Sequence, residues 1–150
     1  MAEEFRVSRR VQFSETDVAG IVHFSNFFRY FEDAEHALWR QAGLSIHAPG
    51  APIGWPRVAA ACTYHQALKF EQEFDVVVRI SEISRRTISY SGEITSRGNK
   101  IASATWKIAS VTKLPDGTMR SAEVSADVAE SLKPFLFRTS DIGHRSSDPA

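Results

Sequence analysis

The chain has 150 residues, 43% of them apolar and 24% charged, the composition of one ordinary globular domain able to bury a core without disulfide or metal. Its 18 Lys and Arg balance its 18 Asp and Glu, which argues against nucleic acid or an anionic membrane surface as the main partner. The single cysteine, Cys62, excludes an intramolecular disulfide framework and any multi-cysteine metal centre. No apolar stretch approaches the roughly 20 residues of a membrane span. The start, MAEEFRVSRR, lacks the basic and apolar regions of a secretory leader. A reducing, cytoplasmic compartment is the resulting expectation.

In chain order, Phe5, Val7, Val11 and Phe13 alternate with polar residues over 5–13, the period of an amphipathic strand. SETDVAGIVHFSN follows, with Asp17 and Gly20 as turn residues. Phe27, Phe31, Ala34, Leu38 and Ala42 recur at helical spacing, so a helix is expected from Phe24–Asn26 to about Ala42. Ser25 is its expected N-cap and Gly43 its C′ glycine. Residues 43–57 hold three prolines and three glycines and read as a long connection with little regular structure.

The remainder reads as strands over Val58–Leu68, Glu73–Ser84, Thr87–Ser96, Lys100–Thr112 and Thr118–Ser121. Ile88, Tyr90, Gly92 and Ile94 share one face of the third, and Ala102, Ala104, Trp106 and Ile108 share one face of the fourth. Ser96–Lys100 and Leu114–Gly117 read as turns, and 126–133 as a short helical turn. The domain is expected to span 1–137, with a polar tail over 138–150. One long helix against consecutive antiparallel strands is an α+β architecture. Its sheet edges stay open, which favours pairing with a second copy.

Asp17 occupies the turn before the long helix. Free N–H groups and partial positive charge at a helix start stabilise a carboxylate, and the same groups can hold a developing oxyanion. That combination suits acyl transfer or hydrolysis. An ordinary turn or capping role is the alternative on spacing alone.

The segment from Phe13 to Glu35, with Thr16, Asp17, Gly20, Ile21, Val22, His23, Phe24, Asn26, Phe27 and Phe31 in order, resembles the signature of the 4-hydroxybenzoyl-CoA thioesterase family, including its YbgC-like branch. The resemblance extends more loosely over residues 5 to about 133 through the strand order and Gly54-Trp55-Pro56. It implies a hotdog fold, a long helix wrapped by a curved antiparallel sheet of five to six strands. It implies homodimers, paired into homotetramers, with active sites at the subunit interface. It implies hydrolysis of an acyl-CoA thioester with no metal, no Ser-His-Asp triad and no cofactor, CoA entering as part of the substrate.

By the same resemblance Asp17 is the catalytic carboxylate, as nucleophile or general base, and the Phe24 N–H the oxyanion donor. Gly20, Ile21, Val22, His23 and Asn26 are the expected substrate-binding positions. From its place beside the oxyanion position His23 is read as orienting water or contacting the acyl group, with packing at the helix start as the alternative, and Asn26 as holding Asp17 across the turn, with capping as the alternative. The family often has a Pro after the aromatic residue of the second strand and a Gly-Asp or Asp-Asp pair soon after. Here the chain reads Tyr64-His-Gln-Ala-Leu-Lys-Phe-Glu-Gln72 with neither, so the acyl group is not read from it.

Two other readings of the fold are a non-catalytic acyl-CoA binding module and an enoyl-CoA hydratase-type enzyme. The hydratase loop motif, with His and Asp close together before the helix, is missing. Outside the motif, Glu32 and Glu35 are expected on a solvated helix face. Cys62 reads as a small buried hydrophobe, and His65 as a surface strand residue, with a pocket role as the alternative. His36, His47 and His144 lack metal-ligand spacing. Arg85, Arg86, Arg97 and Lys100 are expected around one hairpin, solvated or facing CoA phosphates.

Overall fold

The computed structural model describes residues 4–137. The tail expected at 138–150, with His144, lies outside the described residues. Strand β1 (Phe5–Arg10) leads through a 3-10 turn (Phe13–Glu15) to helix α1 (Asn26–Gln41). Then come β2 (Ile53–Gly54), β3 (Arg57–Tyr64), β4 (Glu73–Ile83), β5 (Thr87–Ser96), β6 (Asn99–Ala109), β7 (Val111–Lys113), β8 (Met119–Ser121) and α2 (Ala126–Leu132). Five antiparallel strands form the main sheet in the order β1-β4-β5-β6-β3, and β2-β7-β8 form a smaller one. The α+β expectation holds: this is a hotdog, with α1 laid across one face of the main sheet.

The alternation seen in the sequence sets that packing. In β5 and β6 the buried residues include Ile88, Tyr90, Ile94, Ala102, Ala104, Trp106 and Ile108. Against them α1 buries Phe27, Tyr30, Phe31, Ala34, Leu38 and Trp39. Gly92 lets the layers approach, because a Cβ there would stand 2.7 Å from the Phe31 ring.

The helix ends differ in how they are closed. At the C-terminus Gly43 has φ +82°, its N–H donates to the Arg40 carbonyl, and the Leu44 N–H donates to the Trp39 carbonyl. This is the Schellman pattern expected for a C′ glycine. At the N-terminus Ser25 does not cap. Its backbone is already helical (φ −67°, ψ −23°), and its hydroxyl turns back to His23 Nδ1 at 2.8 Å. Ser125, with ψ 153°, is a true cap and accepts from the Val128 N–H.

Three expectations about strands need correcting. The second strand ends at Tyr64, not Leu68, because residues 65–72 leave the sheet to cross beneath the start of α1, with Leu68 wholly buried. That crossing carries the chain past two strands, so β3 pairs with β6 and not with its sequence neighbour β4. The strand read as Lys100–Thr112 is two strands. The chain leaves the main sheet at buried Ser110, whose N–H donates to the Arg86 carbonyl, and joins the small one.

The turns follow their residues. Arg97 (φ +52°) and Gly98 (φ +80°) make the two-residue loop between β5 and β6. The basic residues do not gather, however. Arg85 and Arg86 lie at the β4–β5 turn and Arg97 and Lys100 at the β5–β6 turn, opposite ends of β5. At about 3.3 Å per residue that strand keeps them some 30 Å apart. Among the described residues no helix is long and apolar enough to cross a membrane.

Candidate active site

The loop that carries the candidate carboxylate is fixed by its own backbone. The Asp17 N–H donates to the Ile21 carbonyl at 2.8 Å, and the Gly20 N–H to the Asp17 carbonyl at 3.0 Å. Gly20 has φ +82°, and a Cβ there would meet open space, so the backbone conformation requires the glycine. Bridges join Thr16 to Val22 and Ile21 to Lys69, and the Val22 N–H donates to the Leu68 carbonyl at 2.9 Å. The turn is thereby stitched to the crossing segment that follows β3.

Glu15 clamps the loop to the helix. Its carbonyl accepts from the His23 N–H at 2.9 Å and from the Asn26 side-chain amide at 2.8 Å. Its carboxylate accepts from the Gln12 N–H and the Tyr30 hydroxyl, both at 2.8 Å, and stands 3.5 Å from the Arg9 guanidinium. Burial, helped by that bond to Glu15, holds the Tyr30 phenol well above its ordinary pKa.

Asp17 itself is half-buried. Its Oδ1 accepts from the Ala19 N–H at 2.8 Å, and none of the described residues donates to Oδ2. Phe24, 63% exposed, immediately precedes the first turn of α1. Its N–H has no acceptor among the described residues, while its carbonyl accepts from the Tyr64 hydroxyl at 2.9 Å. Burial raises the Tyr64 phenol, with Cys62 adding, so the hydroxyl keeps the proton it donates.

A cleft of about 390 Å³ lies between these groups. Asp17, Ile21, Val22, Phe24 and Phe27 form one wall, and Tyr64, His65, Gln66 and Ala67 the other. It thus combines a carboxylate with one open oxygen, a helix-start N–H without an acceptor and an apolar lining. Such a site can receive a carbonyl compound, polarise it and attack it. A larger hollow of about 420 Å³ beside the β5–β6 turn is lined by Arg10, Glu73, Asp75 and Arg97 among others, and has no such combination.

The sequence-derived site residues divide. Asp17, Ile21, Val22 and Phe24 line one cleft. Gly20 shapes the turn outside it. His23 stacks on the Phe24 ring, centroids 4.6 Å apart, and its Nδ1 accepts from the Ser25 N–H at 3.2 Å. That bond assigns the proton of the neutral ring to Nε2. Asn26 holds the Glu15 carbonyl, not Asp17, because its side chain points back along the helix start. His65, read as a surface strand residue, lines the cleft, with Nε2 3.1 Å from the Ser103 hydroxyl.

Tyr64, Gln66 and Ala67, from the segment that the resemblance links to the acyl pocket, and Phe27, from the aromatic stripe of α1, complete the lining without having been singled out as site residues. Their signal was weak: an exposed aromatic at a strand end becomes a wall only when the crossing segment passes the helix start. Glu35 corrects another expectation. It is wholly buried, not solvated, and its Oε1 accepts from Arg57 Nη2 at 2.8 Å. Arg57 Nη2 also reaches Glu32 at 3.1 Å.

The model of the thioesterase-like superfamily matches residues 11–132. The chain belongs to that superfamily. It is 37% identical over 105 residues to a protein of Aquifex aeolicus (strain VF5) provisionally named an esterase, covering 69% of this chain and 81% of that one. Among solved structures, a hypothetical protein from Aquifex aeolicus superposes with a TM-score of 0.76 at 33% identity, over 85% of this chain and 98% of that one. An Asp-to-Asn variant of 4-hydroxybenzoyl-CoA thioesterase, complexed with 4-hydroxybenzoyl-CoA, superposes with a TM-score of 0.77 at 20% identity, over 87% of this chain and 99% of that one. The last likeness establishes the hotdog fold.

Proposed function

We propose that this superfamily member is an acyl-CoA thioesterase whose reacting centre is the cleft between Asp17 and Phe24. The observation that carries the reading is that one cleft is lined by Asp17, with a carboxylate oxygen to which none of the described residues donates, and by Phe24, whose N–H has no acceptor among them. The Phe24 N–H, aided by the helix terminus, polarises the thioester carbonyl. Asp17 Oδ2 then acts in one of two ways. It attacks the carbonyl carbon and expels the CoA thiolate, and water cleaves the resulting mixed anhydride to free acid and the original carboxylate. Or it takes a proton from the water that attacks. Both routes yield one acid and one CoA. Neither calls for a cofactor.

The supporting residues act by shape. Ile21 and Val22 give the acyl group an apolar wall. His23 and Asn26 set the helix start through Phe24 and Glu15, and Gly20 permits the turn. The active form is a homodimer, paired into tetramers, with the site at the subunit interface, working in the cytoplasm. The open edge of β3 and the neutral chain support that assembly.

Thiol release from a panel of aryl- and fatty acyl-CoA esters tests the reading. Wild type should hydrolyse at least one ester, and Asp17→Asn should lose about 10²–10⁴-fold. Undiminished hydrolysis by the variant removes Asp17 from the chemistry. Single-turnover hydrolysis in ¹⁸O-water separates the routes: label in the Asp17 side chain marks attack, and its absence marks the water route.

A further inference from the structure

Arg57 opens β3 with hydrogen-bonding capacity left over. Its Nη2 is held by Glu35 and Glu32, but Nε and Nη1 have no acceptor among the described residues, and the side chain is 29% exposed. A guanidinium anchored on one side by a wholly buried carboxylate is pre-positioned, and its remaining donors call for an acceptor.

The edge on which Arg57 sits is bare. Among the described residues β3 pairs only with β6, and every residue of it except Cys62 is exposed. Its centre, Ala59–Ala61, has no bulky, charged or proline residue to block a neighbour. On the opposite side of the sheet Leu136 pairs with Ile80 of β4 beyond the end of β1, the Phe137 N–H donates to the Ile80 carbonyl, and the edge strand β1 itself carries Arg6, Arg9 and Arg10. A second copy therefore fits along β3, and a two-fold pair of identical strands is antiparallel.

Arg57 and Tyr64 stand at opposite ends of β3 with their side chains toward α1: Arg57 bonds Glu35, and Tyr64 bonds the Phe24 carbonyl. A pair centred on the alanine run brings Arg57 of one copy to the Tyr64 end of the other, beside that copy's Asp17 cleft.

We propose that Arg57 reaches across this dimer to close the cleft of the second copy and selects acyl groups carrying a neutral oxygen at the end remote from the thioester. The inference rests on the thioesterase reading above. Two carboxyl groups already surround the single guanidinium, so a hydroxyl or carbonyl oxygen suits its remaining donors better than a third carboxylate.

The test compares kcat/KM for 4-hydroxybenzoyl-CoA and benzoyl-CoA. Arg57→Met is made alone and in a Glu35→Gln background, so that no unpaired buried charge unfolds the protein. In both, the preference for the hydroxylated ester should fall roughly tenfold, the effect of one charge-assisted hydrogen bond. Heterodimers of Asp17→Asn with the doubly substituted Arg57→Met, Glu35→Gln chain then assign the residue to a subunit. Their one working Asp17 lies in the chain that lacks Arg57, so wild-type preference is expected only if the partner supplies it. A variant-like preference in the heterodimer, an unchanged preference in the variants, or a monomer in sedimentation would each overturn the proposal while leaving thioester hydrolysis intact. If wild type released no thiol from any ester, the thioesterase reading itself would fall, and this inference with it.

Discussion

In the turn that precedes α1, Asp17 is half-buried and lines a cleft, with one carboxylate oxygen on a backbone N–H and no donor to the other among the described residues. Midway along α1, Glu35 is wholly buried, with one oxygen on Arg57 and no partner for the other among the described residues. Tyr90 is near enough for the Glu35 charge to add to burial in raising its phenol, though the two lack hydrogen-bond geometry. The two carboxylates teach opposite lessons. The accessible one keeps an oxygen free because the turn satisfies its backbone first, and can meet a substrate. The buried one is committed to its cation. Position in the fold separates them: Asp17 stands in a partly solvated turn before α1, and Glu35 among packed side chains midway along it.

The largest effect on activity is expected from Asp17→Asn. Asparagine retains the bond to the Ala19 N–H, so activity should fall by about 10²–10⁴-fold while the urea unfolding midpoint hardly moves. A matching loss of stability would make Asp17 structural. Glu35→Ala should do the reverse. It opens a cavity beside a partly buried guanidinium, and chemical denaturation should record a loss of about 3 kcal/mol. A neutral outcome would mean that the buried pair contributes nothing.

Gly92→Ala probes the packing between the two regions. Its methyl would push on the Phe31 ring, and thermal melts should show a loss of about 1–3 kcal/mol. The Glu15 clamp should respond to alkali. Burial keeps the Tyr30 and Tyr90 phenols protonated in the fold beyond their ordinary pKa near 10. Above that pH the unfolded chain releases protons that the folded chain retains, so stability is level below about pH 10 and falls as pH rises further. Tyr30→Phe should make that fall less steep. The smallest contrast lies between two serines: Ser125→Ala should cost about 1 kcal/mol, and Ser25→Ala less than about 0.5 kcal/mol, since only the first caps a helix.

Much of this arrangement was legible. Helical spacing from Phe27 to Ala42 gave α1, Gly43 gave its end, and alternation in β5 and β6 gave the buried face of the sheet. The motif around Asp17 identified the superfamily and located a carboxylate and an N–H that line one cleft. Illegible were the features that depend on where a segment goes after it forms. Residues 65–72 look like the end of a strand, yet they cross beneath the helix and make the second wall. Glu35 looks solvated on a helical wheel, yet Arg57, 22 residues away, makes its burial tolerable.

Local pattern was enough for most of the elements, the fold class and the place of Asp17 and Phe24 beside one another in the chain, because periodicity, turn residues and a helix start act within a few residues. Only the tertiary structure decided that β3 lies beside β6, that Tyr64 and His65 face Asp17, and that Arg57 is braced at a bare edge. Those facts depend on chain crossings and long-range burial, which no local pattern encodes.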